Sequence, residues 1–198
     1  MGEALVTLVK IILTVLISPV VYSCAVNFQD HLSHYPASYS EFFLWGIIGF
    51  VLVFLFVHQF RPVYQAGQTV MAGLFRFMTP MDRPIARVIP FYTALIVIAF
   101  HICNRFWDTA PYLHYFMFFA GFAFAMHVLV LAQELQEEET SMLRHSYFFR
   151  MSIHFVFCVL IVILLLDLVT WEFTFLKFCA SVFEDARDMY LLAIARIL

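Results

Sequence analysis

Residues 111–139 read PYLHYFMFFAGFAFAMHVLVLAQELQEEE, and their pattern decides the fold. From Tyr112 to Ala132 no side chain carries a formal charge. As a helix that stretch reaches about 31 Å at 1.5 Å per residue, enough to cross a hydrocarbon core of about 30 Å. It stops at Gln133 and Glu134, and the acidic run Glu137, Glu138 and Glu139 follows as a solvated helix end. His127 sits inside it as a polar ring and marks a candidate buried site.

The rest of the chain repeats the theme. Of 198 residues, 64% are hydrophobic and 13% are charged, against about 25% charged in a soluble domain. An integral membrane protein is expected, with most of its length spent on spans. The net charge of −3 argues against a nucleic-acid partner. Cys24, Cys103, Cys158 and Cys179 are far apart and form no CxxC pair, so they read as single buried thiols. No clean cleavage pattern follows the first apolar run, so the first span is expected to be retained.

Working outward, a first span covers roughly residues 4–26, with Lys10 near one end and Pro19 inside. A polar loop, 27–40, precedes a Phe- and Val-rich second span at about 41–60. Residues 61–89 carry Arg61, Arg76, Arg83 and Arg87, and Met71, Leu74, Phe75 and Met78 at helical spacing predict a short interfacial helix there. Pro80, Pro84 and Pro90 break the chain before a third span at about 90–107. The quoted stretch is the fourth, and a fifth runs from about 150 to 171.

The expected fold is therefore all-α: a polytopic transmembrane helical bundle of about five spans over residues 1–172. The tail, 173–198, is an amphipathic helix. Phe175, Phe178, Val182, Phe183, Ala186, Met189, Tyr190, Ala193 and Ile197 form one face, against Lys177, Ser181, Glu184, Asp185, Arg187 and Asp188. Its slight acidic excess disfavours anionic lipid and favours a protein surface.

Lys10, Arg61, Arg76, Arg83, Arg87, Arg144 and Arg150 fall on one side in this arrangement, and Arg105, Lys177, Arg187 and Arg196 on the other. The bias puts the N-terminus inside and the C-terminus outside. Trp45, Trp107 and Trp171 then share the outer interface. Measured from that plane by helical rise, His101 lies about 9 Å and Asp167 about 6 Å deep. Lys10, His58, His127 and His154 lie about 18–26 Å deep, near one level.

Intramembrane ionisable groups are site candidates by default. His58, His127 and His154 could face one another as haem b or metal ligands, but satisfied structural histidines without a cofactor or metal are the favoured expectation. His127 should be buried and hydrogen-bonded to a neighbouring span. Arg105 and Asp167 read as a structural interhelical ion pair. No Ser–His–Asp order, phosphate loop or HExxH motif supplies catalytic residues.

From Arg61 to about Leu166 the chain resembles the M50-type, site-2-protease-like membrane peptidases. The resemblance rests on RPVYQAGQTVMAGL at 61–74, IPFYTALIV at 89–97 and FAGFAFAMH at 119–127. In that family a histidine–glutamate–x–x–histidine helix follows the first motif, where this chain has Gln68, Thr69 and Ala72. The resemblance thus implies a proteolytically inactive relative. The favoured function is non-enzymatic: an accessory or scaffold subunit of a larger membrane assembly, with the lipid bilayer and other membrane subunits as partners. The alternatives are a haem- or metal-binding redox subunit and a small transporter or channel.

Overall fold

The computed structural model describes residues 2–57, 59–138 and 145–197. They form eight α-helices and no strand: α1 (Gly2–His34), α2 (Ala37–Phe56), α3 (Arg61–Leu74), α4 (Asp82–Val88), α5 (Phe91–Phe106), α6 (Leu113–Glu138), α7 (His145–Thr170) and α8 (Phe175–Ile197). The protein is an all-α membrane bundle. Among the described residues four segments are long and apolar enough to cross a bilayer: Leu8–His34, Ala37–Phe56, Ala110–Glu137 and Tyr147–Thr170. The shorter α5, 16 residues, is apolar too. Its length of about 24 Å falls short of a 30 Å core, so a crossing there needs a locally thinned bilayer.

The first helix outruns its expectation. A loop was expected at 27–40, yet α1 continues to His34. Two of its polar residues bond back into the helix: Asn27 Nδ2 donates to the Ser23 carbonyl at 2.9 Å, and His34 Nδ1 pairs with the Asp30 carbonyl at 2.7 Å. Pro36 then separates α1 from α2. Pro19 lies inside α1 and cannot donate to the Val15 carbonyl. The Ser18 hydroxyl takes that carbonyl at 2.8 Å, so the backbone acceptor is satisfied without water.

The closest helix contact joins α2 and α6. Phe42 meets His114 and Phe50 meets Phe122, so the two run parallel. Lipid tails are as apolar as leucine, so dispersion and close backbone approach, more than burial, hold such helices together. Gly46 and Gly121 provide the approach: a β-carbon on either would overlap the partner backbone, at the Phe118 and Phe43 carbonyls. Around them Phe28, Phe43 and Phe124 pack in tilted and edge-on pairs. On the far side α5 packs antiparallel to α6 through Phe100 and Phe116, centroids 5.0 Å apart.

At the other flank α1 and α7 run parallel. Cys24 lies level with Val156 and Leu160, and His31 with Asp167. The expected amphipathic tail is α8, and it folds back on its own bundle. Phe178, Val182 and Ala186, at helical spacing, are buried. Thr174 meets His31, Asp185 meets Asn27 and Tyr190 meets Leu16, so α8 runs antiparallel to α1.

The connection 61–89 also holds a helix, displaced from its expected register. Tyr64, Gly67 and Met71 turn inward on α3, while Leu74 and Phe77 stay exposed. The Tyr92 hydroxyl pins α3 to α5 by donating to the Val63 carbonyl at 2.5 Å.

Candidate functional site

Two polar centres interrupt the apolar bundle, one at each end. The first lies where α1, α7 and α8 converge. Asp167, 2% exposed, sits near the end of α7. Trp171 then adopts φ 59°, the left-handed turn that ends a helix and lets the chain reverse. That reversal brings the start of α8 onto Asp167. The Thr174 and Phe175 main-chain N–H groups donate to Oδ2 at 2.8 and 2.7 Å, and the Thr174 hydroxyl donates to Oδ1 at 2.7 Å. Tyr35 adds its hydroxyl to Oδ1 at 3.3 Å. A carboxylate at a helix N-terminus satisfies orphan donors and matches the helix dipole.

This overturns the expected Arg105–Asp167 ion pair. Asp167 takes its donors from Tyr35, Thr174 and Phe175, and Arg105 is exposed at the end of α5. Matching charges by depth missed the arrangement because main-chain N–H donors carry no letter in the sequence.

His31 completes the cluster. Its Nε2 lies 3.1 Å from the Tyr35 hydroxyl, 3.3 Å from the Thr174 hydroxyl and 3.9 Å from Asp167. Both hydroxyls spend their hydrogens on Asp167, so Nε2 must carry the imidazole proton and donate to them. Burial, reinforced by the Asp167 charge, raises the Tyr35 phenol well above its ordinary range and keeps it a donor. A cavity of about 70 Å³ opens beside His31, edged by Asp30, His34, Glu172 and Lys177.

The second centre surrounds His127, which is 4% exposed. Its ring packs 5.5 Å from the Tyr64 ring and is hydrogen-bonded to the Arg87 main chain. The partner is thus the short α4 rather than a neighbouring span. Nε2 of His127 has no hydrogen-bond partner among the described residues. His154 turns Nδ1 to the Arg150 carbonyl in its own helix at 2.7 Å. The third candidate ligand, His58, lies outside the described residues. Among the described residues no three His, Cys, Asp or Glu side chains are grouped to hold a metal ion.

A cavity of about 380 Å³ lies between α3, α4 and α6 and reaches Arg87. Gln65, Gln68, Thr69, Ala72, Ala86, Arg87 and Glu134 line it. Gln65 donates to Glu134 Oε1 at 3.0 Å, Arg61 approaches the same oxygen at 3.7 Å, and Arg61 also pairs with Glu137 at the rim. The sequence offered no signal for this cavity, because it forms only when the loop helices fold under the end of α6. Comparison with protein families, curated proteins and solved structures gives no match.

Proposed function

We propose that the chain is a non-enzymatic accessory or scaffold subunit of a larger membrane assembly, and that the α1–α8 face receives a neighbouring membrane subunit. The observation that carries this reading is the course of α8. It runs back along α1 from His31 to Leu16, beside the middle of the segment Leu8–His34. It therefore brings Glu184, Asp185, Arg187 and Asp188 alongside a helix with the length and composition of a span. Asp185 is met by Asn27 at 2.6 Å, and Arg187 pairs with Asp188 at 2.9 Å. Glu184 is exposed.

Charged side chains facing hydrocarbon cost several kcal/mol, on the order of 2.5–3.5 at a helix centre. Beside those charges, Leu176, Phe183, Leu191, Leu192 and Ile194 point outward, each more than half exposed. One apolar stripe of α8 is consumed by α1, and a second is left facing away from the bundle. A surface of alternating large apolar groups and acids suits a partner helix that supplies basic or hydrogen-bonding groups better than it suits acyl chains. The reading includes the resemblance to M50-type proteins as that of a proteolytically inactive relative, since the carboxamide of Gln68, hydroxyl of Thr69 and methyl of Ala72 make no zinc site.

Site-specific photo-crosslinkers at positions 183 and 192, activated in native membranes, test it. A discrete protein adduct at both positions is expected. Lipid adducts alone would overturn the scaffold reading.

A further inference from the structure

The cavity under the end of α6 has the features of a ligand site that the scaffold reading does not use. At about 380 Å³ it falls in the size range of small-ligand pockets. Its wall mixes polar and apolar groups and carries both charges, with Arg87 on α4 and Glu134 on α6. Two acceptors in it are under-used. Gln68 Oε1 is buried without a hydrogen-bond partner. Glu134, its side chain 12% exposed, meets Gln65 and Arg61 through Oε1, and a carboxylate with about four acceptor sites can take a further donor. A buried acceptor left without a donor costs free energy, so such atoms point to a missing donor.

The cavity's position narrows the ligand. It lies at the end of the apolar segment Ala110–Glu137, where a span would leave the bilayer. The neighbouring α3 and the turn after it expose Val70, Leu74, Phe77 and Met81, all at least half accessible. An amphipathic helix with such a rim lies in the headgroup–acyl boundary. A molecule that reaches a polar cavity across an apolar rim is an amphiphile with its head inward.

We propose that this cavity binds the head of an aminophospholipid. The primary ammonium donates to Gln68 Oε1 and the Glu134 carboxylate, and the phosphodiester lies toward Arg87. Charge and hydrogen bonding both fit. The ammonium brings three N–H donors to two acceptors, and a phosphodiester is the kind of anion that a nearby guanidinium attracts. A trimethylammonium head has the same charge but no N–H, so it cannot satisfy either acceptor. A glycerol head donates hydrogen bonds but brings no second cation to Glu134 beside Arg61.

The full-length protein, exchanged into nanodiscs with equal parts phosphatidylethanolamine, phosphatidylcholine and phosphatidylglycerol, tests this by counting retained lipids with native mass spectrometry. Retention of phosphatidylethanolamine over phosphatidylcholine by about tenfold is expected, the worth of a charge-assisted hydrogen bond. Glu134→Gln and Gln68→Leu should each erase most of that preference. Gln68→Leu leaves the contacts of Glu134 with Arg61 and Gln65 in place, so it serves if the Glu134 variant folds poorly. Equal retention of the ethanolamine and choline lipids, preference for the glycerol lipid, or full selectivity in both variants would overturn the proposal. Displacement of the lipid by soluble phosphoethanolamine at equal concentration would also overturn it, since the cavity would then read a free solute.

Discussion

Gly121 lies against the Phe43 carbonyl so closely that a β-carbon at this position would overlap it. Gly46 stands in the same relation to the Phe118 carbonyl one turn along the α2–α6 seam. The obstacle in both cases is backbone, which cannot rotate aside. Gly121→Ala and Gly46→Ala should each destabilise the bundle by about 1–3 kcal/mol, the usual cost of overpacking. Gly73, in α3, has open space around its β-position. Gly73→Ala should be neutral or stabilising by up to about 1 kcal/mol through helix propensity. Thermal unfolding of the three variants in detergent checks the contrast. Equal losses at all three positions would mean that α2 and α6 are not in this contact.

Asp167 should act as the anchor of α8. Asp167→Asn replaces an oxygen that accepts from Thr174 and Phe175 with either an amide donor or an uncharged acceptor. A loss of about 1.5–3 kcal/mol is expected, the value of hydrogen bonds to a charged group. Because the donors open α8, the loss should be local. Hydrogen exchange should accelerate across 175–197 and stay unchanged in α2 and α6. Arg105→Ala, which touches none of this, should leave exchange in α8 unaltered.

The raised Tyr35 phenol has a pH consequence. Its folded form holds the proton more tightly than its unfolded form. The stabilisation is therefore complete below the unfolded value of about 10 and is lost as pH rises from there through the folded value. Wild-type stability should fall above pH about 10 more steeply than that of Tyr35→Phe. Parallel pH profiles would show that Tyr35 does not hold this hydrogen bond.

Topology gives a fourth expectation. In a background without native cysteines, a cysteine at Ser38 and one at Thr140 should react with an impermeant reagent from opposite sides of the membrane. Reaction from one side would remove the odd number of crossings between them.

Much of the fold was legible because charge is costly in hydrocarbon. The run Tyr112–Ala132 lacks any charge, and α6 covers it from Leu113 onward. The apolar positions Phe178, Val182 and Ala186 of the tail likewise became its buried face. What failed was whatever depended on partners distant in sequence. The extension of α1 past residue 26 draws in part on Asn27 meeting Asp185, 158 positions away. The partners of Asp167 are main-chain groups released by the turn at Trp171, which no pairing of charged letters can find. His127 was expected to be buried, and it is. Its neighbour Arg87 sits on a seven-residue helix too short to stand out in a hydropathy pattern.

The seat of α1 against α7 and α8 also sets an order of assembly. About 110 residues of chain lie between His34 and His145. At roughly 5–20 residues per second, the ribosome needs about 5–20 s to make them. For that interval α1 stands in the membrane without α7 and α8, while α2 and α6, which meet it through Phe28, can already join. During this window a chaperone or partner subunit has its freest access to the face that α8 later covers.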